Sequence, residues 1–346
     1  MNLREIIPAV AGLMSITGYE TYAAAELTPW LGAFDADTTD TVGNRILVRR
    51  CGRENAPRIL IDAHFDEIGF FVTDIREGGF LAVAPVGGQD LRSLPAADVK
   101  IYGTRVLDGV ITSTPPHLQK KTDKPTLTPV DELLVDTGYT KDELAQWVRI
   151  GTPVGYVPRY VPLENGRIAG KSFDNKACCA VAIAALSEIP AHELAGDVYL
   201  VLAAHEETDR IGGTAVGGMS VDPHYAMVLD GNIGRTPHTK ACETVALGKG
   251  PSITRGAIVH RTLTKMTEAL CERAGIPWQR SIEPAGTGTD TTALHLVGAG
   301  IPVVDVGLPL RSMHTAVEML DLADAEQLAA LVRAFVCDRE IAEVFA

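Results

Sequence analysis

Apolar residues at 3, 6, 7, 10, 13 and 14 recur at helical spacing, which predicts an amphipathic helix over 3–14. Residues 22–31 carry a second helical pattern, and TVGNRILVRR predicts a strand pair. PRILIDAHFD differs, because its run Ile59–Leu60–Ile61 shows no polar alternation before Asp62, Ala63 and His64. Strands without alternation belong in a sheet covered by helices on both faces. From about 68 to 167 the runs shorten to GFFVTDI, GFLAVAPV, DVKIYG, RVLDGVITS, ELLVDTG and TPVGYVPRYV, separated by Gly, Pro and Asp turns. That spacing predicts a small β barrel or sandwich, interrupted by one helix, TKDELAQWV, with Thr140 as its N-cap. After IAGKSFDNK the longer period returns, with a helix at about 175–188, strand VYLVLAAHE, a Gly-rich loop and strand YAMVLD. Helix RTLTKMTEALCERAG, strand PVVDVGL and a final helix at about 323–345 complete the chain. The expected fold is α/β, a mixed sheet flanked by helices over residues 1–67 and 168–346, with an inserted β-rich domain over 68–167.

Composition narrows the class without changing this picture. The 346 residues are 46% hydrophobic and 22% charged, which is ordinary globular usage and excludes disorder over most of the chain. With 31 basic against 44 acidic residues the net charge is −13, and no basic stripe is visible, so no nucleic-acid partner is expected. No apolar run approaches 18 residues, so no membrane span is expected either. The six cysteines, at 51, 178, 179, 242, 271 and 337, form no CxxC pair and read as thiols in a reducing compartment. The opening helix carries Glu5 and reads as amphipathic, not as a signal peptide, so a cytoplasmic protein is expected.

In open α/β sheets, functional groups gather at the carboxyl ends of strands. Polar residues at the predicted strand ends form a short set: His64 and Asp66, Asp174 before a helix, Glu206 and Glu207, Asp230, and His314. Each has an ordinary structural use. Asp174 would normally cap its helix, Asp230 before Gly231 suits a turn, and a Glu pair is usually solvated. Two imidazoles and at least three carboxylates arriving from separate elements, however, are the ligand chemistry of zinc or cobalt, enough for two metals sharing one bridging carboxylate. His117, His205, His260, His295 and the Cys178–Cys179 pair keep structural or surface readings, and TGTDTTALH around Asp290 either lines a pocket or caps a helix.

The order HFDEIGFFV, SFDNKACCAVAIAAL, AAHEETDRIGGTA, MVLD, GTGTDTTALH and PLRSMHTAVEM resembles the tetrahedral (TET) aminopeptidase family over nearly the whole chain. That family includes glutamyl and deblocking aminopeptidases and some members carrying endoglucanase labels. The resemblance implies a di-zinc-peptidase-like fold and two divalent ions per subunit, zinc or cobalt, with manganese a third option. His64 and Asp230 would bind one ion and Glu207 and His314 the other, with Asp174 bridging. Glu206 would be the general base and Asp66 would orient His64. It further implies peptide substrates with a free N-terminus and a homo-dodecamer assembled through the β insertion. The chain departs from the family pattern beside these positions. His205 and Thr208–Asp209 flank the Glu pair, Asp174–Asn175–Lys176 replaces Asp-Asp-Arg, and Arg311–Ser312–Met313 precedes His314. All five ligand types are retained, so the departures bear little on metal binding, and they bear on substrate preference because these loops border the site.

Neighbours on a regular strand point to opposite faces. For Glu206 and Glu207 to share a cavity, the strand must end by about Ala204, with the loop bent at Gly212 and Gly213. Rival readings are a related hydrolase of N-acyl amino acids or other amides using the same ligands, a glycosidase, and a non-catalytic scaffold. A glycosidase needs a carboxyl pair across a sugar groove and favours exposed aromatics, and the aromatic content is 5%.

Overall fold

The continuous apolar strands lie side by side at the centre of an eight-stranded sheet in the computed structural model, which describes residues 1–115, 117–118, 133–208 and 212–346. Asp197–Ala203, Arg58–His64, Tyr225–Ile233 and Val303–Leu310 are mutually parallel in that spatial order. Antiparallel Arg45–Arg49 and Ala36–Thr39 extend one side, and Ser252–Gly256 with Gln279–Glu283 extend the other. The sheet is mixed, as expected.

Alternate residues of the central strands feed two different cores, which explains the missing polar alternation. Ile59, Ile61, Leu200, Leu202, Met227, Leu229, Val304 and Val306 pack with helices Leu3–Ala11, Phe173–Ser187, Arg261–Ala274 and Leu322–Cys337. Leu60, Val201, Ala226, Val228 and Val303 meet Val221 and Leu294 of helices Gly213–Val221 and Thr291–Leu294 on the other face. Helix Phe173–Ser187 is enclosed on every side, with all residues from Phe173 to Leu186 buried.

The β-rich segment forms a closed barrel in the order Gly69–Ile75, Phe80–Val86, Leu134–Asp136, Val106–Ile111, Asp98–Tyr102 and Pro153–Tyr156. Phe70, Val72, Leu81, Val99, Ile101 and Val154 fill it. Helix Lys141–Trp147 plugs one flank, with Thr140 and Glu143 forming a reciprocal capping box. The chain then leaves the barrel, and Val161–Pro162, Arg167–Gly170 and Glu318–Asp321 make a separate three-stranded sheet.

Several elements differ from the sequence-based expectation for local reasons. The first helix stops at Ala11, where Gly12 caps it. Residues 20–30 form single turns, Glu20–Ala23, Ala24–Leu27 and Thr28–Trp30, with Pro29 inside the last. The C-terminal helix is two helices, because Asp338 stops the first and caps Arg339–Phe345 by accepting from the Ile341 N–H at 2.8 Å. Strand Tyr225–Ile233 continues past Asp230, which therefore sits within a strand rather than after it. Asp209, one of the departures beside the Glu pair, lies outside the described residues.

Behind the sheet edge lies an ion cluster with no sequence signature. The Glu67 carboxylate, 2% exposed, accepts from Lys171, from Lys176 at 2.8 Å, from the Ser172 hydroxyl and from the Ser15 N–H at 3.1 Å. Lys176 also donates to the Leu13 carbonyl, so the cluster joins the N-terminal segment, the strand end and the start of the enclosed helix. Burial alone would raise the Glu67 pKa, but the two ammonium groups outweigh it and hold it at about 2. Glu67→Gln leaves two buried lysines facing a neutral amide, and it is expected to destabilise the fold by about 3–5 kcal/mol. Urea unfolding of the pure variant measures this, and a loss below about 1 kcal/mol would mean water reaches the lysines.

Candidate active site

All seven residues singled out from the sequence converge at the carboxyl edge of the sheet, where all but the fully buried Asp66 line a cavity of about 580 Å³. His64 is the last residue of its strand and is 2% exposed. Its Nδ1 lies 3.2 Å from the Asp66 carbonyl oxygen and 3.5 Å from Asp66 Oδ1. Neither oxygen can donate, so Nδ1 carries a proton, and the carboxylates around Nε2 outweigh burial and raise the His64 pKa, so a cation at Nε2 would take the place of a proton there. Around Nε2 stand Asp174 Oδ1 at 3.2 Å, Asp230 Oδ1 at 3.5 Å and Glu206 Oε2 at 3.9 Å.

The strand before the Glu pair ends at Ala203, His205 takes φ +66°, and Glu206–Thr208 forms a single 3-10 turn. This break lets neighbouring glutamates share one cavity. Asp66 secures the turn, its Oδ1 accepting from the Glu206 N–H and its Oδ2 from the Glu207 N–H, both at 3.1 Å. Thr17 adds a hydroxyl to Oδ2 at 2.7 Å, and Glu20 accepts from the His205 N–H at 3.2 Å. The segment SITGYE, read from the sequence only as a helix break, is thus a support for the Glu turn.

His314 arrives on the loop after strand Val303–Leu310. Its Nε2 lies 3.5 Å from Asp174 Oδ2 and 3.6 Å from Glu207 Oε2. The two oxygens of Asp174 therefore face different imidazoles. Asp174 itself sits in the first turn of the enclosed helix with non-helical φ/ψ, and it is Ser172 that occupies the cap position. The rest of the cavity wall is small or apolar, comprising Gly88 from the barrel with Gly231, Gly286, Gly288, Thr292 and Met313.

Among the described residues, the ion-pair partners of Asp174, Glu206, Glu207 and Asp230 are His64 and His314, with no lysine or arginine. The electrostatics follow from that excess. Burial pushes the Glu206 carboxyl up to about 8 and Asp230 to about 6, with other carboxylates adding to the rise. Glu207 is raised by burial and then by Asp174. Hydrogen bonding to Asp174 lifts His314 to about 9, while the two imidazoles together overcome burial and hold Asp174 below the usual carboxylate range. The donor set fits divalent cations. Ligand bonds of about 2.1 Å at a tetrahedral ion put neighbouring donors about 3.4 Å apart, and the observed separations are 3.2 and 3.5 Å around His64 and 3.5 and 3.6 Å around His314. Oxygens and ring nitrogens of His64, Asp174 and Glu207 also lie within 4.8 Å of one another.

The remaining conspicuous residues stay outside the cavity wall. His117 is exposed, His205 turns its Nε2 to the Val42 carbonyl at 3.0 Å, and His260 caps helix Arg261–Ala274. His295 bonds the Thr291 carbonyl at 2.8 Å, and Cys179 donates to the His64 carbonyl at 3.1 Å from the core. TGTDTTALH contributes Gly288 and Thr292 to the wall, while Asp290 occupies the N-cap position of helix Thr291–Leu294 without a side-chain capping bond and is buried beside Asp62. Sequence reasoning missed Thr17, Glu20 and Glu318. Glu318 lay within the motif PLRSMHTAVEM, where the only signal was a lone acid in an apolar run.

Comparison with known proteins agrees with this architecture. The lysyl aminopeptidase of Pyrococcus furiosus is 27% identical over 344 residues, covering 96% of this chain and 96% of that protein. The aminopeptidase APDkam598 from the archaeon Desulfurococcus kamchatkensis superposes with a TM-score of 0.91 at 28% identity, over 99% of this chain and 97% of that one. The Pyrococcus horikoshii TET1 peptidase, which can assemble into a tetrahedron or a large octahedral shell, gives 0.85 at 28% identity, over 97% and 99% of the two chains. A helix-covered mixed sheet with a barrel and an imidazole–carboxylate centre at its carboxyl edge defines a peptidase hydrolase. Within that class, residues 43–331 match the M42 glutamyl aminopeptidase profile, and the chain belongs to that family.

Clustered buried carboxylates repel one another unless a cation sits among them. Adding zinc, cobalt or manganese to chelator-treated protein is therefore expected to raise its melting temperature by about 5 °C or more once the free ion exceeds its dissociation constant about 100-fold. Differential scanning calorimetry reads this directly, and a melting curve unchanged from the metal-free one with all three metals would argue against a cation site.

Proposed function

We propose that this chain is a metal-dependent aminopeptidase that removes single residues from the free N-terminus of peptides. Two divalent ions, zinc or cobalt with manganese as a third option, would be held by His64 and Asp230 at one position and by Glu207 and His314 at the other. Asp174 would be the shared ligand. The observation that carries this reading is the split Asp174 carboxylate, with Oδ1 3.2 Å from His64 and Oδ2 3.5 Å from His314. When bound, such ions supply Lewis acidity, lowering the pKa of a water and polarising the peptide carbonyl.

The chain's own groups handle protons and orientation. Glu206 faces the cavity and takes the proton of the attacking water as the oxygen–carbon bond forms. It then passes that proton to the departing amine as the carbon–nitrogen bond breaks. Asp66 holds the Glu206 and Glu207 amides, so base and ligand keep fixed positions on one turn. The His64 Nδ1 contact with Asp66 fixes the ring so that Nε2 faces the cavity, where it would coordinate an ion after giving up its proton. The carboxylate-rich wall attracts a free α-ammonium and gives nothing to a blocked amide end.

The division into a catalytic part, 1–67 with 168–346, and an inserted part, 68–167, belongs to the same reading. So does a homo-oligomer, a dodecamer, built through the barrel. Its support is the barrel's outward apolar surface, with Val106 53%, Val110 44% and Ile150 74% exposed. Free buried thiols and an acidic surface suit a cytoplasmic location.

Glu206→Gln keeps shape but removes the proton acceptor. Its activity is expected to fall roughly 10²–10⁴-fold with metal content unchanged. Glu207→Gln and His64→Ala should lose metal together with activity. Plasma mass spectrometry beside an aminoacyl-anilide assay separates the roles, and a fully active Glu206→Gln with its metals bound would end this mechanism. Peptides with a free N-terminus should be shortened stepwise while N-acetylated copies resist. Equal cleavage of both, followed by mass spectrometry, would favour an acylase or endopeptidase instead.

A further inference from the structure

Asp174 and His314 reach the cavity from distant parts of the chain, yet their backbones are held by one side chain. Glu318, 2% exposed, accepts from the Asp174 N–H through Oε2 at 2.9 Å and from the His314 N–H through Oε1 at 3.2 Å. Each oxygen serves one amide. Glu318 opens strand Glu318–Asp321 and pairs with Gly170, just before the segment that leads to Asp174. Its neighbour Met319 exchanges backbone hydrogen bonds with Arg311 at 2.9 and 3.0 Å, which closes the loop carrying His314.

That loop needs a clamp. Ser312 and His314 take φ of +57° and +61°, a region that disfavours residues with a Cβ. The barrel supplies a second hold from the opposite side, where the Asp90 N–H donates to the His314 carbonyl at 3.1 Å. Gly88 leaves room for the ring, since a Cβ there would stand 3.0 Å from His314 Nδ1.

We propose that Glu318 is the positioning residue of the second cation position. By spacing the Asp174 and His314 amides it brings His314 Nε2 to 3.5 Å from Asp174 Oδ2 and 3.6 Å from Glu207 Oε2, the separations one cation requires. Glu318 itself touches neither ion nor substrate. Aspartate is one methylene shorter, and glutamine offers one acceptor where two amides need one each. The inference rests on the di-cation reading above.

The test is cobalt binding by metal-stripped wild type, Glu318→Ala and Glu318→Gln. Cobalt per chain is measured by plasma mass spectrometry after dialysis at graded free concentrations, with circular dichroism following the fold. Wild type is expected to take two equivalents. Glu318→Ala should bind the second equivalent about 10–100-fold more weakly, as loss of a ligand's hydrogen-bonded support generally does, with a smaller loss at the first because Asp174 is shared while His314 is not. Glu318→Gln should fall between, and excess cobalt should restore its kcat/KM. Two equivalents at unchanged affinity in both variants, or equal weakening of both equivalents, would overturn the positioning role while leaving the di-cation reading in place. Fewer than two equivalents in wild type would overturn both. If Glu318→Ala fails to fold, the near-isosteric Glu318→Gln decides the outcome.

Discussion

Mutual repulsion among buried carboxylates is the constraint to which this fold answers. Asp66, Asp174, Glu207, Asp230 and Glu318 are all less than a tenth exposed and crowd one sheet edge with Glu206. Like charges so placed are costly unless each has donors or a cation. The chain divides them by partner. Asp66 and Glu318 receive backbone N–H groups and a hydroxyl, and so serve as supports. Asp174, Glu206, Glu207 and Asp230 turn towards two imidazoles and an open cavity, where divalent charge suits them.

The surrounding architecture can be understood as what holds those supports in place. Parallel central strands bring His64, the Glu206–Glu207 turn and Asp230 to one edge, because Ala203 pairs beside His64 and Asp230 beside Gly307. The N-terminal segment is tied in through Thr17, Glu20 and the Glu67 ion cluster. The barrel also takes part. Gly88 forms cavity wall and Asp90 holds His314, so the segment that carries the barrel is continuous with the site.

Much of the fold was legible in the residues because its signals are local. Ile59–Leu60–Ile61 shows no alternation since both faces of its strand are covered, and the short Gly-, Pro- and Asp-punctuated runs after 68 are barrel strands. Thr140 with Glu143 marks a helix start through a capping box that four residues contain entirely. Strands Ser252–Gly256 and Gln279–Glu283 were not, being short, with the outer one partly exposed.

Taken alone, the sequence determined the fold class, the ordered series of His, Asp, Glu–Glu, Asp and His, and the need for the strand to break before Glu206. Residue types, periodicity and the two-faced geometry of a strand suffice for those. Only the tertiary structure decided that Asp174 turns one oxygen to each imidazole, that Asp66 holds both glutamate amides, and that Glu318 links two segments remote in the chain. These are distances between atoms with no spacing in common along the sequence, and an acid in an apolar run looks the same whether it meets solvent, a lysine or two backbone amides. Partnership of that kind is settled by packing, because burial removes water as an alternative partner and leaves each carboxylate only the donors the fold brings to it.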